Sequence, residues 1–149
     1  MEKETIKQGV EIPQEIIEQS AIKKKAHRTL RQLPLYRDMS NLKYMVVRLY
    51  DRTPKRLTKY IDSMLCTVTE AKKCVGLGEA SQEPQARIQY LSMARIFIED
   101  IQDDVTILSR LNIVDKKTEK NMKSLAKNIV AQTVAWRDYT NHAQGCNNY

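Results

Sequence analysis

Apolar residues return every third or fourth position over most of this chain, a spacing that admits little besides long amphipathic helices. The stretch from Arg87 to Trp136 states it most clearly: two such runs are joined by the short turn Asn112-Ile113-Val114-Asp115. Composition agrees. Only 4 Gly, 4 Pro, 1 Phe and 1 Trp occur in 149 residues, too few turn formers and large aromatics for a sandwich or barrel. A chain of this length suffices for one domain with its own core.

Four seams emerge. Leu35, Met39, Leu42, Val46 and Leu49 mark the first helix, which Asp51-Arg52-Thr53-Pro54 ends. Proline disfavours helical geometry in the residue before it, so the spacing predicts Thr53 as a cap and Pro54 as the first residue of the next helix. The second seam holds Leu57, Ile61, Met64, Val68, Ala71 and Val75 and runs into Gly76 and Gly78. Ser81-Gln82-Glu83-Pro84 restarts the chain, and Leu91, Ala94, Ile98, Ile101, Val105 and Leu108 form the third seam. Asp115 is a good cap for the fourth, with Met122, Leu125, Ile129, Thr133 and Trp136 as its core line. Short connections make consecutive helices antiparallel. The expectation is an all-α, up-down-up-down four-helix bundle over residues 34–143, with an N-terminal extension over 1–33 and a tail over 144–149, fraying from Tyr139. In the extension, Ile12, Ile16 and Ile17 can share one side of a short helix opened by Pro13. The stripe then gives way to Lys23-Lys24-Lys25-Ala26-His27-Arg28, a basic arm or a loosely docked helix.

The function classes narrow by elimination. No apolar stretch approaches the roughly 18 residues of a membrane span, and Met-Glu-Lys-Glu opens no apolar signal segment, so a cytoplasmic protein without membrane attachment is expected. Cys66, Cys74 and Cys146 are odd in number and lack CxxC spacing, which favours reduced, partly buried thiols. Neither GxxxxGK[ST] nor GxSxG is present, and no His neighbours a Ser or Cys in a structured part of the chain. Glu99, Asp100, Asp103 and Asp104 give the third helix an acidic outer face. A di-iron bundle would also need Glu-x-x-His pairs, and His27 and His142 complete none. The expectation is a non-enzyme without metal or cofactor.

Charge points to a partner instead. Residues 23–73 hold 14 basic and 4 acidic groups, a surplus of 10 against a whole-chain net charge of +7. At 100° per residue, Arg37, Tyr44, Arg48 and Arg52 fall opposite the first seam. Lys55 and Lys59, with Lys73, lie opposite the second, and Lys116, Lys120, Lys123 and Lys127 opposite the fourth. Every amphipathic helix needs a wet face, and one such stripe means no more than that. Three together, with few carboxylates on the first and fourth, favour a phosphate-binding surface, because cations on nucleic acid release condensed counterions. Tyr44 among these arginines is placed either to stack on a base or to cover its neighbours. Beyond Lys127 the outer stripe of the fourth helix turns apolar at Val130, Ala131 and Val134, which predicts burial against another subunit.

Leu33-Pro34-Leu35-Tyr36, the helix through Arg52-Thr53-Pro54, the run Arg87-Ile88-Gln89-Tyr90-Leu91-Ser92-Met93-Ala94-Arg95-Ile96, and Val134-Ala135-Trp136 resemble the Avd-like family. Those proteins are four-helix-bundle accessory proteins of diversity-generating retroelements, related to proteins encoded in intervening sequences of 23S ribosomal RNA. The similarity spans about residues 33–140. It implies a basic, barrel-shaped pentamer that binds nucleic acid, RNA or DNA, and associates with a reverse transcriptase. It also implies a partner-binding role for Arg95, which matches a basic position on the family's third helix. One turn on, where the family has a second basic residue, this chain has Glu99, free to pair with Arg95. The alternative is an intervening-sequence-type interaction bundle with no reverse-transcriptase partner.

Overall fold

Prolines open two of the four helices. Pro34 and Pro84 stand at first-turn positions, where a missing N–H costs nothing, behind extended Leu33 and Glu83. In the computed structural model, which describes residues 33–147 and side chains through residue 143, the elements are α1 (Pro34–Arg48), α2 (Thr58–Ala80), α3 (Pro84–Arg110) and α4 (Lys116–Asn147). Two 3-10 turns, Leu49–Asp51 and Lys55–Leu57, connect α1 to α2. There is no strand among the described residues, and no helix there is long and apolar enough to cross a membrane. The readings of Ile12, Ile16, Ile17 and the arm from Lys23 lie outside the described residues.

The four helices pack on one another through their seams. α1 meets α2, α2 meets α3, α3 meets α4, and α4 returns to α1, whereas the diagonal pairs do not come so close. All five first-seam and all six third-seam residues are buried. Of the second seam, Ile61, Met64, Val68, Ala71 and Val75 in α2 are buried, and Leu57, in the turn before it, is half-buried. The fourth seam differs. Met122, Ala126, Ile129, Thr133 and Thr140 are buried, while Leu125 and Trp136 stop at half-buried. Side-chain size misdirects the reading there: small residues face the crowded centre, and a tryptophan is seldom wholly enclosed. The two buried threonines satisfy their hydroxyls within the helix, Thr133 donating to the Val130 carbonyl at 2.7 Å and Thr140 to that of Trp136 at 2.9 Å.

Two of the boundaries need correction, at the start of α2 and at the end of α4. Thr53 caps nothing forward: its hydroxyl donates back to the Leu49 carbonyl at 2.5 Å, and Pro54 leads into a 3-10 turn, so regular helix begins at Thr58. α2 runs through both of its glycines. Gly78 is buried near α3, where an added Cβ would sit 3.5 Å from Tyr90 Cβ, and the helix ends at Ala80. Arg87 closes that end by donating to the carbonyls of Gly78 at 3.0 Å and Ser81 at 2.9 Å. α4 continues as helix to Asn147, through the residues read as a frayed tail. Buried Thr140 ties it to the core beyond Tyr139.

The α3–α4 turn is built as the sequence suggests. Asn112 adopts φ 59°, its N–H reaches the Ser109 carbonyl, and Ile113 N–H reaches that of Leu108, each at 3.0 Å. This is a Schellman closure with asparagine in the left-handed position. Buried Val114 follows, and Asp115 Oδ1 accepts the Thr118 N–H at 2.7 Å as the α4 cap.

Candidate nucleic-acid interface

The cap at Asp115 also organises the basic end of the protein. Arg52, just past α1, reaches Asp115 Oδ2 at 3.7 Å and the Thr118 hydroxyl at 3.4 Å. The end of α1 and the start of α4 are thereby joined. Between them lies a cavity of about 220 Å³, floored by Met45 and Leu49 and walled by Tyr44, Arg48, Asp51, Arg52 and Thr118. Arg48 lies over the Tyr44 ring, 5.9 Å from its centroid, and Tyr44 is 63% exposed. Hydrogen bonds from the Thr118 hydroxyl and then its backbone N–H hold the Asp115 carboxyl below the ordinary carboxylate range, with Arg52 adding to the effect. Asp115 therefore stays ionised and holds the Arg52 guanidinium in place.

Three of the ten residues assigned to nucleic acid, Tyr44, Arg48 and Arg52, thus meet at one cavity. Arg37 is exposed on α1 but stands three turns earlier, about 16 Å along the axis. Lys55 and Lys59 are exposed beyond Arg52 and have no ion pair among the described residues. The α4 stripe divides. Glu119 holds Lys123 at 3.5 Å and Lys116 at 3.9 Å, leaving Lys120 and Lys127 exposed without an ion pair among the described residues. The Ser109 hydroxyl, then the two lysines, keep Glu119 below its ordinary pKa. Charge counting alone missed Met45, Leu49, Asp51 and Thr118. The signal was available in the topology, which brings the end of a first helix beside the start of a fourth.

The outer face of α3 has a different composition. Arg95 is half-buried and pairs with exposed Glu99 at 3.9 Å, while its Nε finds no hydrogen-bond acceptor. Asp104 leaves the acidic face: it accepts the Tyr60 hydroxyl of α2 at 2.5 Å. Burial, then this bond, pushes the Tyr60 phenol up, and burial raises Asp104 as well. Glu99, Asp100 and Asp103 remain outside, flanked by exposed Met93, Ile96, Ile107 and Leu111. Met93, Ile96, Asp100, Asp103, Ile107 and Leu111 follow one another at three or four positions, a mixed apolar and acidic stripe beside the buried seam.

Val130 and Val134 are half-buried and only Ala131 of that group is exposed. At 100° per residue both valines lie beside the core direction, roughly 80–120° away, so they border the core and do not form a second apolar face. Cys66 is exposed and Cys74 buried, both as free thiols. No cluster of potential metal ligands occurs among the described residues. No family model matches the chain, and no curated protein matches it.

Proposed function

We propose that this protein is a non-enzymatic, nucleic-acid-binding accessory bundle of the Avd-like kind, acting in the cytoplasm as a homo-oligomer beside a reverse transcriptase. The observation that carries the nucleic-acid part is the meeting of Tyr44, Arg48 and Arg52 at one cavity, with Lys55 and Lys59 exposed just beyond. Such an end neutralises phosphates and offers an aromatic ring. Reverse transcriptase and a pentameric state come from the resemblance alone. The up-down-up-down course is supported by contacts between opposite ends of consecutive helices: Lys72, late in α2, lies 4.6 Å from the ring of Tyr36 at the start of α1, and Tyr60, early in α2, bonds to Asp104 late in α3. Titration of a fluorescent oligonucleotide at several salt concentrations tests the reading, and binding without salt dependence, or none, refutes it.

A second reading, an interaction bundle without a reverse transcriptase, is favoured by the α3 face. Glu99 neutralises Arg95, where the resemblance calls for two basic residues, and the apolar side chains around it suit a protein partner. Co-purification from cells of the source with and without an adjacent polymerase gene separates the two.

A further inference from the structure

We propose that the cavity between α1 and α4 receives a single unstacked nucleobase, so that this end selects single-stranded over duplex nucleic acid. The inference rests on the nucleic-acid reading above and specifies its substrate. A site for phosphates alone needs only cations. This cavity adds a half-buried Met45 and a Leu49 that is 2% exposed as floor, and the Asp51 carboxylate as an acceptor beside the donors of Arg48 and Arg52. A base has apolar faces and an edge carrying both donors and acceptors, and those are the complements present here. The Thr118 hydroxyl can serve either role.

Size and mobility point the same way. At about 220 Å³ the cavity falls below the range of about 300–1,000 Å³ usual for drug-sized ligands and suits one heterocycle. Tyr44 is exposed and Arg48 lies over its ring, so a base entering here finds an aromatic ring beside a cation. Arg52 is held by Asp115 and Thr118 before any ligand arrives. A paired base reaches such a site only after unstacking, whereas a single strand has little to undo. The exposed Lys55 and Lys59 make no such distinction, because phosphates carry the same charge in both forms.

Fluorescence anisotropy with twelve-nucleotide oligo-U and oligo-dT, and with each annealed to its complement, tests this at one fixed salt concentration. The full-length protein should prefer the single strand by about tenfold, the range expected for one stacked base. Tyr44→Leu should weaken single-strand binding by about tenfold and so abolish the preference, and Tyr44→Phe should keep it. Circular dichroism confirms that the exposed substitutions leave the fold intact. Equal affinity for single strand and duplex, or a Tyr44→Leu loss shared by both, overturns the proposal while the general nucleic-acid reading stands. Binding of neither probe overturns both. A preference seen with oligo-U alone or oligo-dT alone supports the pocket and assigns its source as RNA or DNA.

Discussion

The end where α1 meets α4 and the outer face of α3 are built from the same helical periodicity yet present opposite chemistry. At the first, one cation is paired with a helix cap: Asp115 serves the Thr118 N–H and the Arg52 guanidinium together. At the second, Glu99, Asp100 and Asp103 stand among exposed Met93, Ile96, Ile107 and Leu111, and Glu99 pairs, among the described residues, only with Arg95 of its own helix. A structural requirement, ending one helix and starting another, thus places functional groups at the end without extra cost. A mid-helix face has no such requirement, so exposed apolar side chains there need a separate explanation, and a protein partner supplies one.

The sharpest test asks which apolar surface joins subunits. Ile96→Glu and Val134→Glu each put a carboxylate on one candidate. A carboxylate buried without a partner costs several kcal/mol, so the variant at the true interface should dissociate at micromolar concentration. Light scattering reads the outcome directly against the 17.3 kDa chain mass. Loss of assembly only with Ile96→Glu moves the interface to α3, and loss only with Val134→Glu keeps it on α4. A wild-type chain that is already monomeric removes the oligomer from the proposal.

Next in size is the response of the basic end to salt. If Arg48, Arg52, Lys55 and Lys59 contact about four phosphates, affinity should fall with a log–log slope near −3 to −4, or about 100-fold between 50 and 200 mM salt. Replacing all four with Gln should flatten that dependence. An unchanged slope would transfer binding to α4, where Lys120 and Lys127 are exposed, or to the arm from Lys23 to Arg31.

How much of this was legible beforehand follows from what each pattern encodes. Core seams are local: Leu35 to Leu49 and Leu91 to Leu108 are buried throughout because a period near 3.6 fixes which side a residue faces. The α3–α4 turn was legible too, since asparagine tolerates the left-handed conformation and aspartate caps. Buried Ala126 and Thr140 were not legible, because small and polar residues carry no apolar signal, although crowding at the centre favours them. Within the candidate site the cations could be read, but the pairing of Arg52 with Asp115 spans 63 positions and depends on packing. Glu119 likewise divides the lysine stripe, which periodicity alone leaves intact.

Asp115 should give a smaller effect that reports on the same end. Its folded-state pKa lies below the ordinary value of 3.8, so the stability it contributes is present above that value. That contribution is lost as pH falls through the folded pKa. Asp115→Ala should lower the melting temperature by a few degrees at neutral pH and by less in strong acid, as the wild-type carboxylate takes up its proton below its folded-state pKa. The same variant frees Arg52, so the single-strand preference should weaken although no residue of the cavity wall has changed. Equal destabilisation at both pH values would mean that the cap acts without its charge.

The smallest expected effect on the fold belongs to Arg95, and that makes it the cleanest probe of the α3 face. Its Glu99 partner lies 3.9 Å away and is exposed, so water replaces the guanidinium when Arg95 is removed. An i,i+4 pair of this kind contributes roughly 0.3–0.5 kcal/mol. Its Nε makes no hydrogen bond, so Arg95→Ala leaves no second buried group stranded at that atom. Helicity and oligomer mass should therefore stay as in the wild type. If the face binds a polymerase through this arginine, as the resemblance implies, Arg95→Ala should reduce co-purification with the cognate reverse transcriptase. Glu99→Arg should increase it for an acidic partner surface. If the face instead binds through its apolar and acidic side chains, Arg95→Ala binds normally, Glu99→Arg weakens the complex, and Ile96→Glu weakens it further. The opposite responses of the two Glu99→Arg outcomes decide whether α3 recognises its partner by cations or by carboxylates among apolar contacts.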